Sequence, residues 1–166
     1  MKAEHINPFL ASTSEVFSTM LGCKLTRGEL SLSMNFQPQH DVSGIIGLSG
    51  KASGTVVVSL DRDVATAVTG HMLGERPLTI NADVSDAVGE IVNMIAGRAK
   101  SNLQELEMAL SLPTVITGKN HVIQFGSSTQ TICIPYSCEW GELSLEVGLV
   151  EQSEKLAESK AVLAAR

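Results

Sequence analysis

Glu90 and Asn93, in the run GEIVNMIAG over residues 89–97, set a carboxylate and a side-chain amide three positions apart among Ile91, Val92, Met94 and Ile95. On a helix, positions i and i+3 are neighbours on one face. A carboxylate can pair with a cation. An amide offers a donor and an acceptor but almost no basicity. Together the two could hold a partner and orient a water molecule without deprotonating it. The same spacing also suits an ordinary solvated helix face, so the pair alone does not decide between the two.

The helix that must carry them is predicted over roughly 83–110, stopped by Pro113. At about 100° per residue, Val84, Val88, Ile91, Ile95, Ala99, Leu103 and Leu106 fall on one side. Asp83, Asp86, Glu90, Asn93, Gly97, Lys100 and Gln104 fall on the other. This is an amphipathic split that turns the apolar neighbours inward and the two polar groups outward together. Gly97 lies one turn beyond Asn93 on the polar side. A mid-helix glycine costs about 1 kcal/mol relative to alanine, which is consistent with a flat spot for close approach.

The rest of the chain supplies a frame. A helix is predicted over 7–22, ended by Gly22. Leu30, Leu32, Met34 and Phe36 alternate with polar residues as a strand with one buried face. DVSGIIGLSGKASGTVVVSL (41–60) reads as a hairpin with arms near 43–49 and 54–60. Asp61 or Asp63 can cap a helix over 63–74, ended by Gly74. Strands are predicted at 119–126, 129–138 and 141–150. SEVFSTMLG (14–22) aligns with GEIVNMIAG, setting Glu15 against Glu90 and Ser18 against Asn93. The expectation is one α+β domain over 1–150 with pseudo-twofold helix–βββ halves, an antiparallel-rich sheet and helices on one face. The tail 151–166 is either helical or disordered. Neither half alone has enough apolar residues for its own core.

Composition narrows the function. The 166 residues suit one domain. The net charge of −6 argues against nucleic acid and anionic membranes. Three cysteines (Cys23, Cys133, Cys138), without CxxC spacing, read as reduced thiols. No charged opening followed by a long apolar run suggests a signal peptide. No stretch approaches the ~18 apolar residues of a membrane span. A cytoplasmic protein is expected. GLSGKASG (47–54) fails as a phosphate loop, since Ile45 stands where glycine is needed and a strand follows. His5, His40, His71 and His121 match no metal spacing, and His121 is expected to be structural. No GxSxG elbow is present.

The run DAVGEIVNMIAGRAKSNL (86–103) closely resembles the motif helix of the CheC/CheX/FliY family of chemotaxis phosphatases. DVSGIIGLSGKASGTVVVSL resembles the family's first hairpin, MLGE (72–75) the end of its short helix, and LPTVITGKNH (112–121) its re-entry into the sheet. The likeness covers about residues 8–150. One intact motif per chain is most similar to the CheX branch. The resemblance implies hydrolysis of the aspartyl phosphate of a CheY-like response regulator. Glu90 would engage a regulator lysine, and Asn93 would hold water in line with phosphorus. Asp86, Gly97 and Lys100 would be partner contacts. It further implies no cofactor of this chain's own, Mg²⁺ in the regulator, and a homodimer. The first copy departs from the two-site pattern, with Ser18 where asparagine would stand. It is expected to be inactive or auxiliary. The rival readings are a non-catalytic binding module for a response regulator or flagellar motor component, and a structural dimer in which the motif is a relic.

Overall fold

Local chemistry sets the helix ends. The Asp61 side chain accepts the Val64 N–H at 2.9 Å, and Asn81 accepts the Val84 N–H at 3.1 Å. These are N-caps that satisfy otherwise orphaned donors. Gly74, at φ +85°, closes the intervening helix with its N–H on the Gly70 carbonyl. The computed structural model describes residues 3–33, 40–119, 121–123 and 130–152. In chain order the elements are α1 (Ala3–Glu15), a π-helical turn (Val16–Met20), β1 (Thr26–Arg27), β2 (Ser31–Ser33), β3 (Val42–Ser49) and β4 (Ala52–Leu60). There follow α2 (Arg62–Leu73), α3 (Ala82–Ser101), β5 (Ala109–Leu110), β6 (Thr114–Thr117), β7 (Thr131–Cys138) and β8 (Gly141–Glu151).

The strands form one antiparallel eight-stranded sheet in the order β1-β7-β8-β4-β3-β5, with β2 also on β7 and β6 also on β3. Exchanging the halves of the chain maps this order onto itself. The expected pseudo-twofold is therefore present, centred on the β4–β8 ladder where Val56 faces Val147. Each half lends its short outer strands to the other half's sheet. The 50–51 turn joins β3 to β4 as the hairpin pattern predicts.

Several boundaries differ from expectation. The long helix ends at Ser101, not near 110. Asn102 turns its amide onto the Arg98 carbonyl, and a 3₁₀ turn at Gln104–Leu106 follows. Leu103 and Leu106 are buried as predicted, but a three-residue spacing fits a 3₁₀ turn as well as an α-helix. The re-entry strand occupies Thr114–Thr117 rather than 119–126, of which 120 and 124–126 lie outside the described residues. Met34 and Phe36 of the alternating run, and tail residues 153–166, also lie outside them.

Helices α1 and α3 cover the sheet face that carries Val56, Val58, Leu145 and Val147, and α2 lies against α3. The opposite face is not solvated at its centre. Ser43, Ser59, Ser144 and Glu146 are all buried there. The Ser43 and Ser59 hydroxyls bond at 2.7 Å, and His121 Nε2 reaches Ser43 Oγ at 2.7 Å, so His121 is structural. Glu146, 0% exposed, accepts from Ser144 Oγ at 2.7 Å, while its Oε2 has no hydrogen-bond partner among the described residues.

Burial pushes the Glu146 carboxyl up to about 8 from its ordinary 4.5, the Ser144 hydrogen bond offsetting only part of that. The folded state therefore holds a proton that the unfolded chain releases. The stability linked to this group is full below about pH 4.5, falls as pH rises towards 8, and levels off beyond. Glu146→Gln keeps the neutral form at every pH. The gap between its thermal midpoint and that of the wild type is expected to widen from pH 5 to pH 8. Parallel midpoint curves would show that Glu146 is not protonated in the core.

Candidate functional site

Helix α3 presents the motif because most of its girth is anchored. Val84, Val88, Ile91, Ile95 and Ala99 are buried as the periodicity predicts. Ala87, Gly89, Val92 and Ala96 are buried too, since α1, α2 and β3 surround the helix on more sides than an amphipathic stripe implies. At Gly44 of β3, a Cβ would lie 2.9 Å from Val92 Cγ1 and 3.2 Å from the Val88 carbonyl oxygen. Close approach of helix to strand here needs glycine. Gly89 faces Pro113 and Val115, where an added Cβ would make only ordinary contacts at 3.5–3.8 Å.

What remains outside is the polar row. Asp83, Asp86 and Glu90 are exposed, and Asn93, Gly97 and Lys100 are partly exposed. Among the described residues, neither Glu90 nor Asn93 has a side-chain hydrogen bond or ion pair. Nothing lies within 4 Å of a Cβ built at Gly97. The row is electrically graded. Acids occupy the first turns of α3, Arg98 and Lys100 the last, each matching the helix dipole. Asn93 sits between them.

A shallow cleft of about 330 Å³ opens beside Glu90, lined by Met72, Leu73, Asp83, Asp86, Ala87 and Glu90. Leu73 is 61% exposed. The motif does not reveal Met72 and Leu73. The available signal is two large apolar residues at the very end of a helix, just before its Gly74 stop, where no further turn could bury them.

The polar groups of the first copy of the repeat are engaged within the chain. Its π-helical turn occupies the stretch aligned with Ile91–Ile95 of α3. Ser18 Oγ and Thr19 Oγ1 both donate back to the Glu15 carbonyl, at 3.2 and 2.7 Å. The Glu15 carboxylate pairs with Arg98 of α3 at 2.5 Å. Neither Glu15 nor Ser18 is presented as Glu90 and Asn93 are. Among the described residues, no group of three His, Cys, Asp or Glu could hold a metal ion, and no helix is long and apolar enough to cross a membrane.

Three helices packed on an antiparallel sheet with exchanged outer strands make this a CheC-like fold. The family model described as chemotaxis phosphatase CheX matches residues 42–137, and the chain belongs to that family. Its sequence is 26% identical over 151 residues to the CheY-P phosphatase CheX of Thermotoga maritima, covering 89% of this chain and 97% of that one. The crystal structure of the chemotaxis protein CheX from Vibrio vulnificus has 36% identity and a TM-score of 0.82, over 89% of this chain and 100% of that one. The fold extends to CheX of Borrelia burgdorferi, crystallised in a CheX–CheY–BeF3–Mg²⁺ complex. That chain has 22% identity and a TM-score of 0.73, over 90% of this chain and 100% of the other.

Proposed function

We propose that this chain hydrolyses the aspartyl phosphate of a CheY-like response regulator. The observation that carries the reading is the unpartnered Glu90–Asn93 pair, held outward by a helix anchored on its other sides. The relative from Thermotoga maritima bears the name of a CheY-P phosphatase, which supports the same substrate.

An acyl phosphate is already activated, so no protein nucleophile is required. The missing element is a water in line with phosphorus, and placement alone can supply much of the barrier reduction. Asn93 accepts a hydrogen bond from that water at its carbonyl oxygen and donates to the phosphoryl group from its amide nitrogen. Glu90 attracts a regulator lysine, whose aliphatic stem can lie against Met72 and Leu73 in the neighbouring cleft. Mg²⁺ in the regulator neutralises phosphoryl charge. Asp86 and Lys100 extend the contact along α3, and a homodimer of this chain belongs to the same reading.

Incubating the chain with phosphorylated regulators and measuring phosphate release tests this. The phosphatase accelerates release, whereas a binding module leaves the spontaneous rate unchanged. Glu90→Ala is expected mainly to weaken association, by removing one partner of an interface charge pair. Intact affinity with abolished turnover would reverse the roles given to the two residues. Gly97→Leu is expected to keep or raise the thermal midpoint, because leucine favours a helix more than glycine does. It should weaken regulator binding about tenfold or more, equivalent to about 1.4 kcal/mol. Unchanged binding would show that the partner does not approach Gly97 closely.

A further inference from the structure

The junction of α2 and α3 holds a second surface beside the motif. Gly74 turns the chain directly after Leu73, and the linker then packs back onto α2, where a Cβ at Gly70 would lie 2.9 Å from Arg76 Cβ. Arg76, the cation of the 74–81 linker, donates to Thr66 Oγ1 at 3.2 Å and to the Asp63 carbonyl at 3.1 Å. It lines a different cleft, with His71 and Trp140. Further along, Arg62 donates to the Leu78 carbonyl at 3.3 Å, and Asn81 caps α3. The linker is thus pinned at both ends. The cleft beside Glu90 does not stop at Leu73. A second cleft of about 300 Å³, reaching Glu75, shares Leu73 and Asp83 with it, so the two make one groove that starts at the motif. Met72 and Leu73 are its exposed apolar residues, and Glu75, Asp83, Asp86 and Glu90 its acids. Among the described residues, no lysine or arginine lines it, and neither Glu75 nor Asp86 has an ion pair.

We propose, resting on the phosphatase reading above, that this groove selects the regulator. It takes an apolar side chain of the regulator next to the lysine at Glu90, and a second regulator cation against Glu75 and Asp83. Continuity favours this occupant, because Glu90 itself lines the groove and a regulator seated on Glu90 and Asn93 covers it. Charge favours it too. Four acids with no base among them attract a basic surface and reject an acidic one. Arg98 and Lys100 at the far end of α3 fix which way round the regulator lies. An exposed apolar centre with a polar rim is the arrangement that concentrates binding energy. Because the linker is already pinned, little ordering is lost on docking. Leu73 and Glu75 lie beyond the Glu90–Asn93 pair, so they act on affinity and choice of partner, not on the hydrolytic step.

The test titrates the full chain and its variants with CheY-like regulators carrying beryllofluoride and Mg²⁺, and measures phosphate release at saturating phosphorylated regulator. Leu73→Lys keeps a good helix former and adds a cation at a helix C-terminus, so its thermal midpoint should match or exceed that of the wild type. It is expected to weaken affinity about tenfold, with saturated turnover within about twofold. Glu75→Lys should weaken affinity at low salt, by a factor that shrinks as salt rises. Leu32→Lys makes the same change at an exposed site on β2, at the sheet edge away from α3, and should leave affinity unchanged. Unchanged affinity in Leu73→Lys or Glu75→Lys, or an equal loss in Leu32→Lys, would overturn the groove and leave the phosphatase reading standing. So would a shift in oligomeric state in Leu73→Lys without a change in regulator affinity, since the occupant would then be a second copy of the chain. A wild type that binds regulators without accelerating release would overturn the phosphatase reading alone. One that binds no regulator would overturn both.

Discussion

Asn93→Ala is expected to abolish accelerated phosphate release while leaving regulator binding nearly intact. Alanine keeps the helix, for which it is the best former, and removes only the carboxamide. Asn93 has no side-chain partner in the described structure, so its loss strands no buried group. If the amide places water, the loss should be about 100-fold or more in turnover, with the dissociation constant changed little. Single-turnover dephosphorylation gives the first quantity and titration of a phosphoryl-mimic regulator the second. A variant that binds and hydrolyses like the wild type would remove Asn93 from the mechanism. A variant that loses both together would make it a docking residue.

Gly44→Ile is expected to have the largest effect on stability. Its Cβ would press on Val92 Cγ1 at 2.9 Å and on the Val88 carbonyl oxygen at 3.2 Å. A valine can turn, but the helix backbone can yield only if α3 lifts. Overpacking of this kind costs about 1–3 kcal/mol, occasionally more. In a chain of this size that is a drop of about 5–10 °C in thermal midpoint. Because the lifted helix carries Glu90 and Asn93, phosphatase activity should fall further than the folded fraction does. Adding Val92→Ala makes room for part of the new side chain and should recover part of both losses. A midpoint equal to wild type in Gly44→Ile would mean that α3 does not bear on β3 there.

The outward placement of Glu90 and Asn93 was legible because its signal is helical and local. Val84, Val88, Ile91, Ile95 and Ala99 repeat with the period of a helix, and their burial turns Glu90 and Asn93 outward without reference to any other element. The buried width of that helix was not legible. Gly89, Val92 and Ala96 are covered by Pro113, Val115, β3 and neighbouring helices, and such contacts leave no period in the sequence. The same limit hid Met72 and Leu73, which join Glu90 only across the α2–α3 junction. In β8, Leu143, Leu145, Val147 and Leu149 alternate with Ser144 and Glu146, and the apolar set is the helix-covered face. Ser144 and Glu146 are nonetheless buried on the other side. Period-two patterning reports which residues are apolar, not whether a polar face is later covered. Strands as short as β1 and β5 have no room for any period.

The traded outer strands constrain how the molecule can come into being. While only the first seventy-odd residues exist, β1 and β2 have no β7 to join, and the long ladder of β4 still waits for β8. Both halves must be released from the ribosome before either can close, and the last partner of β4 ends at Glu151. Assembly therefore depends on late, sequence-distant encounters, the kind that set a slow pace in strand-rich chains. For the same reason, two fragments cut between α2 and α3 would each lack a finished sheet until they found one another.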